Sequence, residues 1–178
     1  MSRRPMIAGN WKMNTTPSEG AELARALRKL LLDGPAVDVV VFPPFTGIAA
    51  VVAELRGTDV LVGAQDMHGE ASGAFTGNVS GAMIRGAGGR AVLIGHSERR
   101  AYEKETGAQL AGKVAAALKA ELLPIFCCGE TLAEREAGQT LDVVRTQLRD
   151  GLGALTATEL GRVVIAYEPV WAIGTGKV

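Results

Sequence analysis

Arg90-Ala91-Val92-Leu93-Ile94-Gly95-His96 decides the fold. A short, continuously apolar run stops at a glycine, and a histidine follows it. Such a run suits a parallel strand buried on both faces. Val37 to Phe42 and Leu122 to Phe126 read the same way. Strand candidates centre on Ile7, Val39, Leu61, Val92, Ile125 and Val164, at spacings of 32, 22, 31, 33 and 39 residues. After each comes a loop and then a longer stretch with helical spacing. This alternation predicts parallel strands joined by right-handed helical crossovers.

The helical stretches carry start signals. Thr16-Pro17-Ser18-Glu19 supplies an N-cap threonine, a proline at the first helical position and a glutamate at the third. Leu23, Leu27, Leu30 and Leu31 form an apolar stripe behind it, and Gly34-Pro35 is the expected stop. Thr106 to Gln109 and Thr131 to Glu134 are two further capping boxes. The segment that Thr131 opens is expected to continue past Gly138 through Leu141, Val144, Leu148, Leu152 and Leu155.

Two architectures fit this order, an open doubly wound sheet and a (β/α)8 barrel. An open sheet that binds a dinucleotide would place G-x-G-x-x-G after its first strand. Here that position holds Asn10-Trp11-Lys12-Met13-Asn14. A complete barrel takes roughly 250 residues, and eight units of about 31 residues agree with that size. The 178 residues supply six strands and stop in a loop after the sixth.

Composition excludes several classes. Apolar residues make up 47% and charged residues 21%, as in an ordinary globular domain. Lysine plus arginine number 19 and aspartate plus glutamate 19, and aromatics are only 4%, which disfavours a nucleic-acid module. No apolar run reaches the ~20 residues of a membrane span. The stretch after Arg3 and Arg4 is broken at once by Asn10 and Lys12, against a secretory signal core. Cys127 and Cys128 are adjacent, with neither disulfide nor metal-ligand spacing, so a reducing cytoplasm is the expected compartment.

In parallel α/β proteins reactive groups collect at the C-terminal ends of strands. Those ends deliver Asn10 and Lys12, His96, Cys127 and Glu168. A neutral His96, facing the amides of a short turn capped by Ser97, would polarise a carbonyl; otherwise it is a buried, hydrogen-bonded histidine. Glu168 follows Val163-Val164-Ile165-Ala166-Tyr167, and apolar neighbours raise a carboxylate's proton affinity, as suits a general base. The other reading is a solvated loop glutamate. Lys12 offers charge for a phosphate or an oxyanion, or is a surface lysine. Asn10 orients Lys12 or the substrate, or serves a turn. Cys127 reads as packing.

Two loops stand out. Ala172-Ile173-Gly174-Thr175-Gly176-Lys177 is no Walker A motif, because Trp171 stands where the first glycine belongs. It reads as a lid with stiffer hinges at Pro169-Val170-Trp171 and Lys177-Val178. The loop from Gln65 to Val79 is unusually long and carries Gly73-Ala74-Phe75-Thr76-Gly77, whose phenylalanine suits a partner's pocket or simple packing.

Together these segments resemble triosephosphate isomerase. The resemblance is carried by Ala8 to Asn14, Gly73 to Gly77, Gly95 to Arg100, Cys127 to Glu130 and Ala166 to Lys177, in family order across the chain. It implies a single (β/α)8 TIM-barrel domain over residues 1–178, truncated in the lid loop after the sixth strand. The implied activity interconverts dihydroxyacetone phosphate and D-glyceraldehyde 3-phosphate through an enediolate, without a cofactor or metal, in glycolysis and gluconeogenesis. The resemblance makes Glu168 the base, His96 the neutral electrophile and Lys12 the added positive charge. Asn10 and Trp11 belong with Lys12 to the substrate-contacting segment. Glu98 supports the lysine and histidine, and the Gly174 N–H closes over the phosphate. Phe75, Thr76 and Gly77 resemble a homodimer loop that packs near Lys12 and His96 of the neighbouring subunit. Asn78 replaces the glutamate often found there, which removes a charge pair from that interface. The family continues through two more strands, three more helices and two phosphate loops. The chain alone is therefore expected to be inactive or to need a complementing C-terminal chain. A different sugar-phosphate enzyme on the same barrel and a non-catalytic dimerisation fragment are the competing readings.

Overall fold

The computed structural model describes residues 4–31, 34 and 36–175. Pro35 of the expected helix stop and Lys177-Val178 of the second hinge lie outside the described residues. Six strands form one parallel sheet in chain order: β1 (Met6–Asn10), β2 (Asp38–Phe42), β3 (Leu61–Ala64), β4 (Ala91–Ile94), β5 (Leu123–Cys128) and β6 (Val164–Tyr167). All five neighbouring pairs are parallel. The fold is an α/β half-barrel, the six-stranded part of the expected TIM barrel.

Among the described residues eight α-helices connect the strands: α1 (Pro17–Leu30), α2 (Ile48–Leu55), α3 (Gly81–Gly86), α4 (Ser97–Tyr102), α5 (Gly107–Lys119), α6 (Leu132–Glu136), α7 (Thr140–Leu152) and α8 (Ala157–Leu160). The three capping boxes form as read, each with reciprocal side-chain and backbone bonds. A fourth, Thr156 with Glu159, opens α8. The segment after Thr131 is two helices rather than one. Gly138 takes φ +72°, a left-handed conformation that ends α6 before α7 starts. Leu155 falls beyond α7.

The continuous apolar runs have a direct cause, because successive side chains of a strand enter different cores. Val40, Phe42, Ala91, Leu93, Ile125 and Cys127 meet on one face of the sheet. Val41, Val92, Ile94, Phe126 and Cys128 pack on the other, with α-helical residues such as Leu110, Val114 and Leu152. Gly63 shows how tight the first core is. A Cβ there would sit 2.4 Å from the Phe42 ring and 2.8 Å from the Ala91 carbonyl oxygen.

The outer strands differ. Among the described residues β1 and β6 have a strand neighbour on one side only. Ile7 is 61% exposed and Ile165 50%, although each lies within its strand. In a sheet otherwise buried on both faces, these are the positions where further elements would pack. Among the described residues no helix is long and apolar enough to cross a membrane.

Candidate active site

The site forms where β1, β4 and β6 end. Asn10 is the last residue of β1, and its Oδ1 accepts the Lys12 backbone N–H at 2.9 Å. Lys12 has φ +54°, a costly conformation for a lysine. The Gln65 amide secures it, with Nε2 donating to the Lys12 and Phe42 carbonyl oxygens, both at 2.8 Å. Lys12 Nζ thereby reaches Glu98 Oε1 at 2.6 Å. Trp11 lies between these residues in sequence, but its ring packs on the core beside Gly20, and its backbone N–H donates to the Phe42 carbonyl oxygen.

His96 follows β4 and is 7% exposed. It is itself the N-cap of α4, the role the sequence suggested for Ser97. Its Nδ1 accepts the Glu98 N–H at 3.2 Å. A ring nitrogen that accepts carries no proton, so this network assigns the imidazole proton to Nε2. Nε2 faces Glu168 Oε1 at 3.5 Å. The other Glu168 oxygen accepts the Ser97 N–H at 3.2 Å. Glu168 therefore has polar partners in addition to its apolar sequence neighbours, and its side chain is only 20% exposed.

Lys12, Glu98, His96 and Glu168 thus run in one chain of contacts across the rim. A cavity of about 240 Å3 opens beside Asn10, Lys12, His96 and Glu98. Another, of about 220 Å3, lies behind Glu168, next to Ser97, Arg100 and Gln147. A larger one of about 460 Å3 lies away from this chemistry, beside Met67, Ala116 and Lys119. Cys127 is fully buried, and burial above all, with Glu168 adding to it, pushes its thiol pKa up. It is packing rather than a nucleophile. Among the described residues no group of histidine, cysteine and carboxylate side chains could hold a metal.

Next to the first cavity lies a buried ionic cluster. Lys113 Nζ donates to Asp66 Oδ1 at 2.6 Å and to Glu105 Oε1 at 2.5 Å. Arg99 meets the same two carboxylates, each at 3.0 Å. Burial raises the Asp66 pKa against the pull of Lys113. At Glu105 burial acts in the same sense, but the bonds to Lys113 and Arg99 outweigh it and the pKa falls.

The segment read from the sequence as a hinge, Pro169-Val170-Trp171, is tied to β5 through Glu130. Glu130 is fully buried, and its carboxylate accepts Tyr167 Oη at 2.9 and 3.0 Å, Trp171 Nε1 at 3.1 Å and Arg135 Nη1 at 3.3 Å. The Arg135 guanidinium also stacks 4.4 Å above the Trp171 ring. Burial works to raise the Glu130 pKa, but a backbone hydrogen bond and then the bonds from Trp171, Tyr167 and Arg135 prevail and hold it low. Gly174, in the stretch read from the sequence as a lid, is exposed and takes φ +70°. Phe75 is less of a free knob than expected, since its ring rests on His68 of the same loop, centroids 4.0 Å apart.

Gln65, Glu130, Arg100 and Gln147 escaped the sequence reading. Their partners are backbone atoms or residues far along the chain, which no local motif marks. Arg100 and Glu130 did carry a signal, as the last residues of the Gly95 to Arg100 and Cys127 to Glu130 segments, but no role was read for either.

A family model described as triosephosphate isomerase matches residues 5–178. The triosephosphate isomerase of Moorella thermoacetica is 57% identical over 175 residues, 98% of this chain and 70% of that protein. That of Caldanaerobacter subterraneus is 51% identical over the same shares. The crystal structure of triosephosphate isomerase from Bartonella henselae superposes with a TM-score of 0.85 at 39% identity, covering 95% of this chain and 69% of that one. The strands, their ends and these likenesses agree, and the chain belongs to the triosephosphate isomerase family of isomerases.

Proposed function

We propose that this rim interconverts dihydroxyacetone phosphate and D-glyceraldehyde 3-phosphate. The observation that carries the reading is the imidazole of His96, fixed at Nδ1 by the Glu98 N–H and facing Glu168 with Nε2, while the Glu98 carboxylate is bonded to Lys12. Glu168 removes a proton from the carbon next to the substrate carbonyl. The electron pair moves onto the carbonyl oxygen, where His96 Nε2–H donates a hydrogen bond and Lys12 supplies positive charge. The former carbonyl oxygen gains a proton and the neighbouring hydroxyl loses one, exchanged at His96 Nε2, and Glu168 returns its proton to the former carbonyl carbon as the new carbonyl forms on its neighbour. Asn10 orients Lys12, Trp11 anchors their segment to the core, and Glu98 keeps Lys12 and His96 together. Lid closure brings the Gly174 N–H to the phosphate and excludes water, which strengthens these interactions.

The exposed outer faces of β1 and β6, and relatives of whose length this chain covers 70%, support a further step. The rim works when two more strands close the barrel, supplied by a C-terminal portion like that of the Moorella relative; without them the 178 residues are inactive. The active form is a homodimer through the 65–79 loop, with Phe75, Thr76 and Gly77 at the contact, in the cytoplasm. The test is a coupled isomerase assay of the chain alone and of the chain complemented with the C-terminal portion of the Moorella relative. Turnover is expected only in the second, and Glu168→Gln should lower kcat by about 10³-fold while a substrate analogue still binds. Near-native turnover in that variant removes Glu168 from the chemistry.

A further inference from the structure

One cation beside the reacting pair is not used by the chemistry above. Arg100 lies on α4, four residues after His96, with its guanidinium turned back under the rim. Nε donates to the Gly95 carbonyl oxygen at 2.7 Å, and Nη2 donates to the Cys127 carbonyl oxygen at 2.8 Å. The group lies 5.5 Å from the centre of the Phe126 ring. The registered pairs of β4 and β5 end at Ile94 with Phe126. Gly95 and Cys127 are the next positions on the two strands, so a planar fork joins them where the strand ladder has stopped. Gly95 is shaped for this. It takes φ +74°, and a Cβ there would sit 2.8 Å from Nη2 and 3.0 Å from Leu110.

Each carbonyl belongs to the support of one reacting group. The Gly95 carbonyl is bonded directly to the His96 nitrogen. Cys127 is registered with Ala166, two residues before Glu168, and the next carbonyl, of Cys128, accepts the Glu168 N–H at 2.7 Å. Burial pushes the Arg100 pKa down, and the neighbouring thiols, Glu105 and Glu168 only partly offset it. An apolar side chain would fill this space without that cost. What it would not do is tie two carbonyls in fixed geometry, which a guanidinium does and an ammonium does not.

We propose that Arg100 is a positioning residue for the isomerisation, clamping the Gly95 and Cys127 carbonyls so that His96 and Glu168 keep their 3.5 Å approach. The proposal rests on His96 and Glu168 being the reacting pair. In the complemented chain, Arg100→Lys keeps the charge and loses the fork. Its kcat is expected to fall by about 10²-fold, as for a displacement near 1 Å, with KM within about twofold. Guanidinium added to Arg100→Ala is expected to restore kcat. Where the lysine variant does not fold, refolding Arg100→Ala with guanidinium decides. Recovery of fold together with kcat supports the clamp, and recovery of fold without kcat overturns it. A lysine variant with native kcat and only lower thermal stability also overturns it. Glu168→Gln runs alongside: native turnover there refutes the reacting pair itself, whereas inactive Glu168→Gln with active Arg100→Lys refutes Arg100 alone.

Discussion

Gly129→Ala is the sharpest single perturbation of this rim. The glycine lies against the backbone of Glu168, and a Cβ on it would sit 1.8 Å from the Glu168 carbonyl oxygen and 2.6 Å from its carbonyl carbon. Ordinary contact starts at 3.4 Å, so one methyl is short of room by about 1.6 Å. The obstacle is main chain, which cannot rotate out of the way. Gly129 is itself fixed, its N–H donating to Gln147 Oε1 at 2.9 Å and its carbonyl accepting Gln147 Nε2 at 3.0 Å. Glu168 is fixed from the other side by its N–H to the Cys128 carbonyl. Retreat of Gly129 breaks the first pair of bonds, and retreat of Glu168 breaks the second. Overpacking of this kind costs about 1–3 kcal/mol, and at 2–4 °C per kcal/mol the thermal midpoint should fall by roughly 2–12 °C. A shift of the Glu168 carboxylate by about 1 Å should lower kcat about 10²-fold in the complemented chain. Gly112→Ala is the control, because its Cβ meets nothing within 4 Å. It removes a glycine from the middle of α5 and should leave stability equal or higher. Gly129→Ala with native midpoint and native kcat would refute the argument that this glycine seats the base.

Glu130→Gln should loosen the hinge. A neutral amide faces the Tyr167, Trp171 and Arg135 donors, and losing the charge from a buried network of this kind costs about 3 kcal/mol. The expected readout is a midpoint lower by roughly 6–12 °C, with the fluorescence of Trp171 shifted, and an unchanged midpoint would count against the latch. The latch also has a pH window. Glu130 has a depressed folded pKa, so its stabilisation is complete above the ordinary carboxylate value of about 4.3 and is lost as pH falls through the lower folded value. Tyr167 is raised, by burial and then by Glu130, so its share is complete below about 10 and is lost as pH rises through the folded value. Midpoints measured across pH should decline at both ends, less so in Glu130→Gln. Parallel curves for the two proteins would exclude this pair as the cause.

The repeat of strand and helix was legible because each strand of a doubly buried parallel sheet must be apolar on both faces. Val39 to Phe42 and Ala91 to Ile94 are apolar for two different cores, and that doubles the signal. The division of α6 from α7 was missed because a helical stripe runs on through Gly138 in sequence, while the backbone there turns left-handed. The rim residues were legible for another reason. Asn10, His96 and Glu168 interrupt or end apolar runs, and a polar group at such a point has no business in either core.

What the sequence conceals is the layer beneath the rim, and the reason lies in how that layer bonds. Gln65 reaches Lys12 across 53 residues and Phe42 across 23. Glu130 reaches Tyr167 across 37, and Arg100 reaches Cys127 across 27. Gln65, Arg100 and Gln147 address main-chain atoms, which every residue possesses, so no residue type at the far end marks them. The Lys12, Gly95, Cys127 and Gly129 carbonyls become available because a neighbouring strand pair ends there: past the last registered pair, carbonyls that would have entered a ladder need other donors. A parallel sheet therefore creates at one edge both the open positions for reactive side chains and the unsatisfied backbone groups that call for supporting ones. The left-handed Lys12 held by Gln65 and the left-handed Gly95 held by Arg100 are two instances of that one requirement, at the ends of β1 and β4.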